Sequence, residues 1–139
     1  MTYRFDIYHY GPFCDELQKD MEWLMADGVV EDVSKEDRYS NYAPGPAADE
    51  IFASHGDIVT ELRNQVSGIV SALAPMRPEE LELFATLDYL YRKQVASSGS
   101  GPWKDSVIAR FCEVKGTKFA MTTVEAAYDA MAKSGIFEA

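Results

Sequence analysis

The chain has 139 residues and a formal net charge of −10, with 47% hydrophobic and 26% charged residues. This length and composition predict a single soluble globular domain, residues 1–139, which needs neither a metal ion nor a disulfide framework for stability. The start, MTYRFDIYHY, lacks a signal-peptide pattern, and no apolar run approaches the ~18 residues of a membrane span, so we expect a cytoplasmic protein with no membrane role.

The first 28 residues predict a strand, a turn and an amphipathic helix. Apolar and polar residues alternate between Tyr3 and Tyr10, as they do in a half-buried strand. Gly11-Pro12 then indicates a turn, with Pro12 in the first turn of a helix, where its missing N–H costs nothing. Gly28 is placed to end that helix. The apolar stripe of the helix is formed by Phe13, Leu17, Met21, Leu24 and Met25.

The next segment predicts a β-hairpin. Residues 29–34 and 37–45 flank a charged turn, Lys35-Glu36-Asp37. The order strand, helix, hairpin is typical of a winged helix. We therefore predict a mostly α (α+β) fold, with a winged-helix-like strand–helix–hairpin unit in residues 1–45 and a helical bundle in residues 46–139.

The rest of the chain predicts helices separated by Pro/Gly-rich turns. Residues 47–74 carry a sustained apolar stripe, which we interpret as a short and a long helix separated near Gly56, with Asp57 as a cap. Pro78 begins the next helix, and SSGSG (97–101) is a connection within the domain. A further helix begins near Pro102. The last helix is predicted from a capping box formed by Thr122 and Glu125, and it ends before Gly135.

Groups that support catalysis or metal binding are sparse. Neither His9 nor His55 has partners at the spacing of a metal site. Cys14 lies at a helix N-terminus, which lowers a thiol pKa, but no third group of a catalytic triad is visible. We therefore predict no catalytic, metal-binding or cofactor-binding residues and a non-enzymatic protein. An enzyme with a Cys14 nucleophile is a weaker alternative.

The charge distribution disfavours nucleic-acid binding by the predicted winged helix. Its helix carries Asp15, Glu16, Asp20, Glu22 and Asp27 against Lys19, and phosphates would repel it. Residues 92–118 are different, because this segment contains six basic and only two acidic residues and has a net charge of +4. A DNA-binding transcriptional regulator that uses residues 92–118 is therefore the alternative function.

Aromatic and acidic side chains at the N-terminus predict a protein-binding surface. Exposed aromatic residues often anchor such interfaces. The candidate partner-binding residues are Tyr8, Tyr10, Glu16, Asp20 and Trp23.

Two stretches resemble a known family. YHYGPFCDELQKDMEWLMADGVVEDV is similar to the YGP[FY]-x-x-E-L…L…L…G-[LV]-[VI] core of the SocA-like (Panacea-type) antitoxin family and its YwgA-like relatives. FCEVKGTKFAMTTVEAAYDAMAKSGIF resembles the C-terminal helices of that group. The similarity covers residues 3–33 well and 78–137 loosely.

The resemblance implies a helical interaction protein, either an antitoxin or an adaptor that recognises another protein such as a toxin. The residues that match the family core, namely Gly11, Pro12, Phe13, Leu17 and Gly28, would then have structural roles. Relatives begin with additional helices, so we expect that this chain is either a shortened version of the family or has an incomplete start. Apolar surface left uncovered by the missing helices would favour a homodimer.

Overall fold

The computed structural model describes residues 3–36, 39–97 and 99–138. This part of the chain is mostly helical, as predicted, and it contains two small antiparallel sheets of two strands each. None of its helices combines the length and apolar character that crossing a membrane requires. The elements are, in chain order, β1 (Asp6–Tyr8), β2 (Gly11–Phe13), α1 (Asp15–Ala26), β3 (Val30–Asp32), β4 (Tyr42–Pro44), α2 (Ala48–Ser54), α3 (Gly56–Leu73), α4 (Pro78–Ser97), α5 (Lys104–Lys115), α6 (Met121–Lys133) and a 3₁₀-helix (Ile136–Glu138).

The chain forms two compact units. Within the described ranges, the first unit comprises residues 3–4 and 14–75, and the second comprises residues 5–13 and 76–138. The first unit thus contains α1 to α3 with β3 and β4, and the second contains β1, β2 and α4 to α6. The single domain with parts 1–45 and 46–139 stays a prediction.

Helix α1 has well-defined ends in the first unit. It begins one residue after Cys14, whose backbone is extended and whose Sγ accepts a hydrogen bond from the Leu17 N–H at 3.4 Å. At the other end Gly28 has φ +71°, its N–H donates to Met25 O, and the Val29 N–H donates to Leu24 O. This pair of bonds is a Schellman motif, which needs a left-handed residue at the glycine position. The prediction that Gly28 ends the helix is confirmed.

The predicted hairpin and the two predicted helices of the first unit are also present. Strands β3 and β4 pair antiparallel, with Val30 opposite Pro44 and Asp32 opposite Tyr42. The predicted turn at 35–37 lies partly outside the described residues. The break between α2 and α3 falls at His55, and no side chain caps α3, so the predicted cap by Asp57 is wrong.

The second unit begins with a hairpin that the sequence did not predict. Strand β1 spans only Asp6–Tyr8, the chain reverses at His9 and Tyr10, and β2 pairs back with Ile7 opposite Pro12. The strand predicted between Tyr3 and Tyr10 is therefore confirmed only over Asp6–Tyr8, and the prediction of a helical Pro12 is wrong. The short β2 strand tolerates Pro12 because an edge strand can spare one N–H donor.

The hydrophobic core of the second unit lies between its helices. Helix α4 begins at Pro78, as predicted, and Gly135 follows α6, as predicted. Helix α6 instead begins after Ala120, with no side-chain cap, so the predicted capping box of Thr122 and Glu125 is wrong. The core residues are Leu83, Leu87, Leu90, Val107, Ile108, Phe111, Val124, Ala127, Tyr128, Met131 and Phe137.

Candidate protein-interaction surface

The five predicted partner-binding residues fall into two groups. Glu16, Asp20 and Trp23 lie on α1 of the first unit. Their spacing of four and then three residues puts them on one face of that helix. Tyr8 and Tyr10 belong to the β1–β2 hairpin of the second unit.

The α1 group is exposed and acidic. Trp23 has 71% of its surface exposed, and none of the twelve residues of α1, all of them described, is buried. Asp20 accepts a hydrogen bond from the Tyr3 hydroxyl at 2.6 Å, and this bond raises the pKa of Tyr3 above its usual range. Glu16 Oε2 accepts a bond from the Arg4 N–H at 3.4 Å. Residues 3–4 therefore lie along the α1 face and hold two of its carboxylates in place.

The charge of α1 is strongly negative. Four carboxylates oppose one cation, Lys19, which pairs with Asp15 at 3.3 Å. A large exposed aromatic ring among carboxylates combines apolar area with a negative potential. We name this face, formed by Glu16, Asp20 and Trp23, the acidic α1 face. Its chemistry suits a protein surface that is basic and partly apolar.

The two tyrosines of the β1–β2 hairpin are also exposed, but each contacts its own unit. The Tyr8 ring lies 4.6 Å from the His9 ring and 5.7 Å from the Phe13 ring, between centroids. Tyr10 is 76% exposed, and Lys118 Nζ lies 5.2 Å from the centroid of its ring. Both rings are therefore available at the surface of the hairpin, and Tyr10 has a cation beside it.

A buried ion cluster holds this hairpin against α4 and α5. Glu82 accepts hydrogen bonds from Lys115 Nζ at 2.6 Å and from Lys118 Nζ at 2.7 Å. Lys115 Nζ also donates to the His9 carbonyl at 2.9 Å. Burial opposes ionisation of Glu82, but the bonds from both lysines outweigh it and lower the pKa of the carboxyl. The sequence did not predict this cluster, although Glu82 lies next to the apolar pair Leu83 and Phe84 in the helix that was predicted from Pro78.

Gly11 has a structural role in the same place. It is buried, has φ +113°, and a Cβ on it would lie 3.2 Å from Thr86 Oγ1. Thr86 cannot easily move away, because its hydroxyl donates to Glu82 O at 2.6 Å. The other predicted core-motif residues differ in burial: Pro12 is half-buried, while Phe13 and Leu17 are partly exposed.

Cys14 and His55, which were considered for catalysis and metal binding, each contact neighbouring groups in the first unit. Cys14 is buried, and its Sγ acts as the cap of α1, with Glu16 Oε2 at 4.0 Å. His55 Nδ1 lies 3.2 Å from the Ile51 carbonyl. Within residues 3–36, 39–97 and 99–138, no three His, Cys, Asp or Glu side chains come together as metal ligands would.

The basic residues of segment 92–118 are mostly paired. Five of the six form ion pairs with carboxylates: Arg92 with Asp88, Lys104 with Asp129, Arg110 with Glu113, and Lys115 and Lys118 with Glu82. The sixth, Lys93, lies over the Tyr89 ring at 5.4 Å. The positive charge that the sequence shows in this segment is therefore largely neutralised by neighbours.

Comparison with known proteins gave no match, so any assignment of function depends on the residues of this chain. No family model matches the chain, and neither a curated protein nor a solved structure matches it. The resemblance to the SocA-like family stays an expectation, based on the two stretches quoted above.

Proposed function

We propose that this chain is a non-enzymatic interaction module, antitoxin-like or adaptor-like, that binds a protein partner through the acidic α1 face. The observation that carries the proposal is Trp23, which is 71% exposed on a helix that buries none of its residues. A tryptophan in that position exposes a large apolar area to water, and such a ring is a frequent anchor of protein interfaces.

The carboxylates around Trp23 indicate the chemistry of the partner. Asp20 and Glu16 are held by hydrogen bonds from Tyr3 and Arg4, so the face is ordered before binding. Preordered side chains lose less conformational entropy when a complex forms. A basic partner would associate faster at low salt, because opposite charges steer the encounter.

The proposal includes a winged-helix-like first unit, a homodimer, a cytoplasmic location and kinship with the SocA-like family. The order α1, β3, β4 in the first unit supports a winged-helix-like arrangement in which the β3–β4 hairpin is the wing. The apolar surface described in the next subsection supports a homodimer. A cytoplasmic location and kinship with the SocA-like family rest on the sequence alone.

The ion pairs of segment 92–118 weigh against DNA binding. Phosphates would have to displace the carboxylates that hold Lys104, Arg110 and Lys115, and Lys115 is buried. A DNA-binding regulator would shift a DNA fragment at low salt and would weaken on Arg110→Ala. We expect no shift under those conditions.

The test of the proposal is purification of the tagged chain from its host, identification of a stoichiometric partner, and measurement of its affinity by calorimetry. Trp23→Ala should weaken binding at least tenfold, Trp23→Phe should retain most of it, and Glu16→Gln should reduce its salt dependence. Glu125→Gln, which removes an exposed carboxylate from α6, is the matched control and should have no effect.

Two results would contradict the proposal. One is a partner whose affinity does not change with Trp23→Ala and Glu16→Gln. The other is purified protein that modifies a substrate and loses that activity when Cys14 or His9 is replaced.

A further inference from the structure

Helix α3 exposes an apolar face that nothing in the described part of its own unit covers. All eighteen residues of α3 are described and none is buried. Six of its large apolar side chains have between 39% and 62% of their surface exposed, and they are Ile58, Leu62, Val66, Ile69, Val70 and Leu73. An apolar stripe of this length on a surface usually marks an interaction site.

The stripe has the spacing of a helix–helix seam. Val59, Leu62, Val66, Ile69 and Leu73 follow each other at intervals of three, four, three and four residues. This is the a/d pattern of a heptad repeat, in which side chains of one helix insert between those of another. Two of the three a positions are Val (Val59 and Val66; the third is Leu73), and the d positions are Leu62 and Ile69, a composition compatible with a pair of helices. Ile58 and Val70 flank the seam and widen it. We name these seven residues the α3 seam.

The exposed area suits a pair of α3 helices. The six exposed residues together present on the order of 500 Å² per copy, so that two copies would bury up to about 1,000 Å² through these residues, which is the lower bound for a specific interface. Burial of α3 against a second α3 would therefore remove most of the exposed apolar surface of this helix.

The charge distribution allows a second copy of the chain to occupy the seam. Two chains of net charge −10 repel each other over most of their surfaces. Helix α3 is an exception, because its charged residues are only Asp57, Glu61 and Arg63, and none of them occupies an a or d position. The seam is therefore neutral, and an apolar seam is complementary to itself under twofold symmetry.

A membrane surface fits this face less well. Helices that lie on membranes carry several Lys or Arg residues on the polar side and often have aromatic residues on the apolar side. Helix α3 has one basic residue and no aromatic residue. Anionic lipids would in addition repel a chain with this net charge.

We propose that the chain is a homodimer in which the α3 seams of two copies pack against each other around a twofold axis. This inference deepens the homodimer of the proposed function by naming the surface that forms it. Partner binding by the acidic α1 face concerns a different helix and does not depend on it.

The experiment is sedimentation velocity on the purified full chain between ~1 and ~100 μM. The wild-type chain should sediment as a dimer of twice its 15.5 kDa at the higher concentrations. Ile69→Glu places a charge in the seam and should give a monomer, with the dissociation constant of the dimer raised at least a hundredfold. Ser71→Glu adds the same charge on the opposite side of α3 and is the matched control, which should stay dimeric.

A cysteine crosslink tests the contact independently of affinity. Val66 lies at an a position in the middle of the seam, so it meets its own counterpart in a parallel pair of helices and Ile69 of the other copy in an antiparallel pair. Under mild oxidation Val66→Cys should form a disulfide-linked dimer if the pair is parallel, and the double variant Val66→Cys/Ile69→Cys should form one in either direction, whereas Ser71→Cys should not, because two cysteines on outer faces lie too far apart.

Three results would overturn the inference, and they differ in what else they affect. A wild-type chain that is monomeric at every concentration would remove the homodimer but leave partner binding by α1 untouched. A wild-type dimer that persists in Ile69→Glu would keep the homodimer and exclude the α3 seam. A monomer that binds neutral or anionic phospholipid vesicles, and loses this binding with Ile69→Glu, would assign the seam to a membrane instead.

Discussion

The two compact units of this chain differ in where their apolar side chains lie. The second unit has a core of eleven buried residues between α4, α5, α6 and the 3₁₀-helix. Among the described residues of the first unit, only Cys14 and Ala48 are buried hydrophobic residues. Yet both units contain amphipathic helices of similar length, such as α3 and α4.

The difference indicates different tasks for the two units. A helix that buries its apolar stripe in its own unit contributes to stability, because that surface leaves water on folding. A helix whose apolar stripe stays exposed can still gain the free energy of burying that surface when it associates with a partner. The second unit thus contains the stabilising core, whereas the acidic α1 face and the α3 seam, which we propose as interaction surfaces, lie on the first unit.

The largest expected effect on stability comes from the core of the second unit. Phe111 is 1% exposed and packs edge-on against Phe119 at 5.8 Å. Phe111→Ala should lower the free energy of unfolding by about 3–5 kcal/mol, because it leaves a cavity. Trp23→Ala truncates an exposed aromatic residue in the first unit and should change the free energy of unfolding by less than about 0.5 kcal/mol.

Each unit contains one of the two tryptophans, so their unfolding can be followed separately. Trp103, which packs against the core of the second unit, reports that unit in a Trp23→Phe background. Urea unfolding of Trp23→Phe with and without Phe111→Ala, followed by the fluorescence of Trp103, measures the loss of stability caused by Phe111→Ala. Urea unfolding followed by circular dichroism measures the change in stability caused by Trp23→Ala. Equal destabilisation by the buried and the exposed truncation would refute the contrast between the units.

The second prediction concerns the ion cluster. Glu82→Gln leaves the ammonium of Lys115 buried, with the His9 carbonyl as its remaining strong acceptor. An uncompensated buried charge should cost about 3 kcal/mol in the free energy of unfolding. Glu113→Gln removes an exposed carboxylate that pairs with Arg110 at 2.7 Å and should cost less than about 1 kcal/mol. Chemical unfolding of both variants checks the difference, and similar losses would show that burial of the cluster is unimportant.

Two glycines offer a smaller and opposite pair of effects. Gly11→Ala forces a side chain into a left-handed backbone and towards Thr86, and should destabilise the second unit by about 1–3 kcal/mol. Gly68→Ala in α3 meets no atom within 4 Å, and the better helix propensity of alanine should stabilise α3 by about 0.5–1 kcal/mol. Thermal unfolding of both variants should give shifts of opposite sign; a stabilising Gly11→Ala would contradict the assigned role of Gly11.

The last prediction is a pH dependence that belongs to Glu82. Its pKa is lower in the folded chain than the ordinary value of 4.5, so the unfolded chain binds the proton more tightly. The contribution of Glu82 to stability is therefore complete above pH ~4.5 and is lost as the pH falls through the lowered folded pKa. Unfolding of wild type and Glu82→Gln measured from pH 7 to pH 3 should show the two stabilities converging at low pH. A constant difference would refute this assignment.

The sequence by itself determined the elements whose signals are local. Gly28 ends α1 and Pro78 begins α4, because left-handed geometry and a missing N–H act within one helical turn. The β3–β4 hairpin and the pair α2 and α3 follow in the same way from turn residues and apolar periodicity. The mostly helical fold could be predicted from such signals.

The tertiary structure decided the features that depend on distant residues. Pro12 looked like a helix start, but Ile7 pairs with it in a sheet. Lys115 looked like one cation of a basic segment, yet its partners are Glu82, 33 residues away, and the His9 carbonyl, 106 residues away. Local spacing contains no information about such partners, because Coulomb and hydrogen-bond energies depend on distance in space.

The same limit applies to the candidate site. The sequence placed Glu16, Asp20 and Trp23 on one face of α1, because helical periodicity alone orders those positions. The α3 seam was visible as a stripe in the sequence, but only the structure shows that the described part of its unit leaves it exposed. An apolar pattern determines which face of a helix is favourable to bury. The packing of the whole chain determines whether that face is buried by the chain itself or is left for a partner.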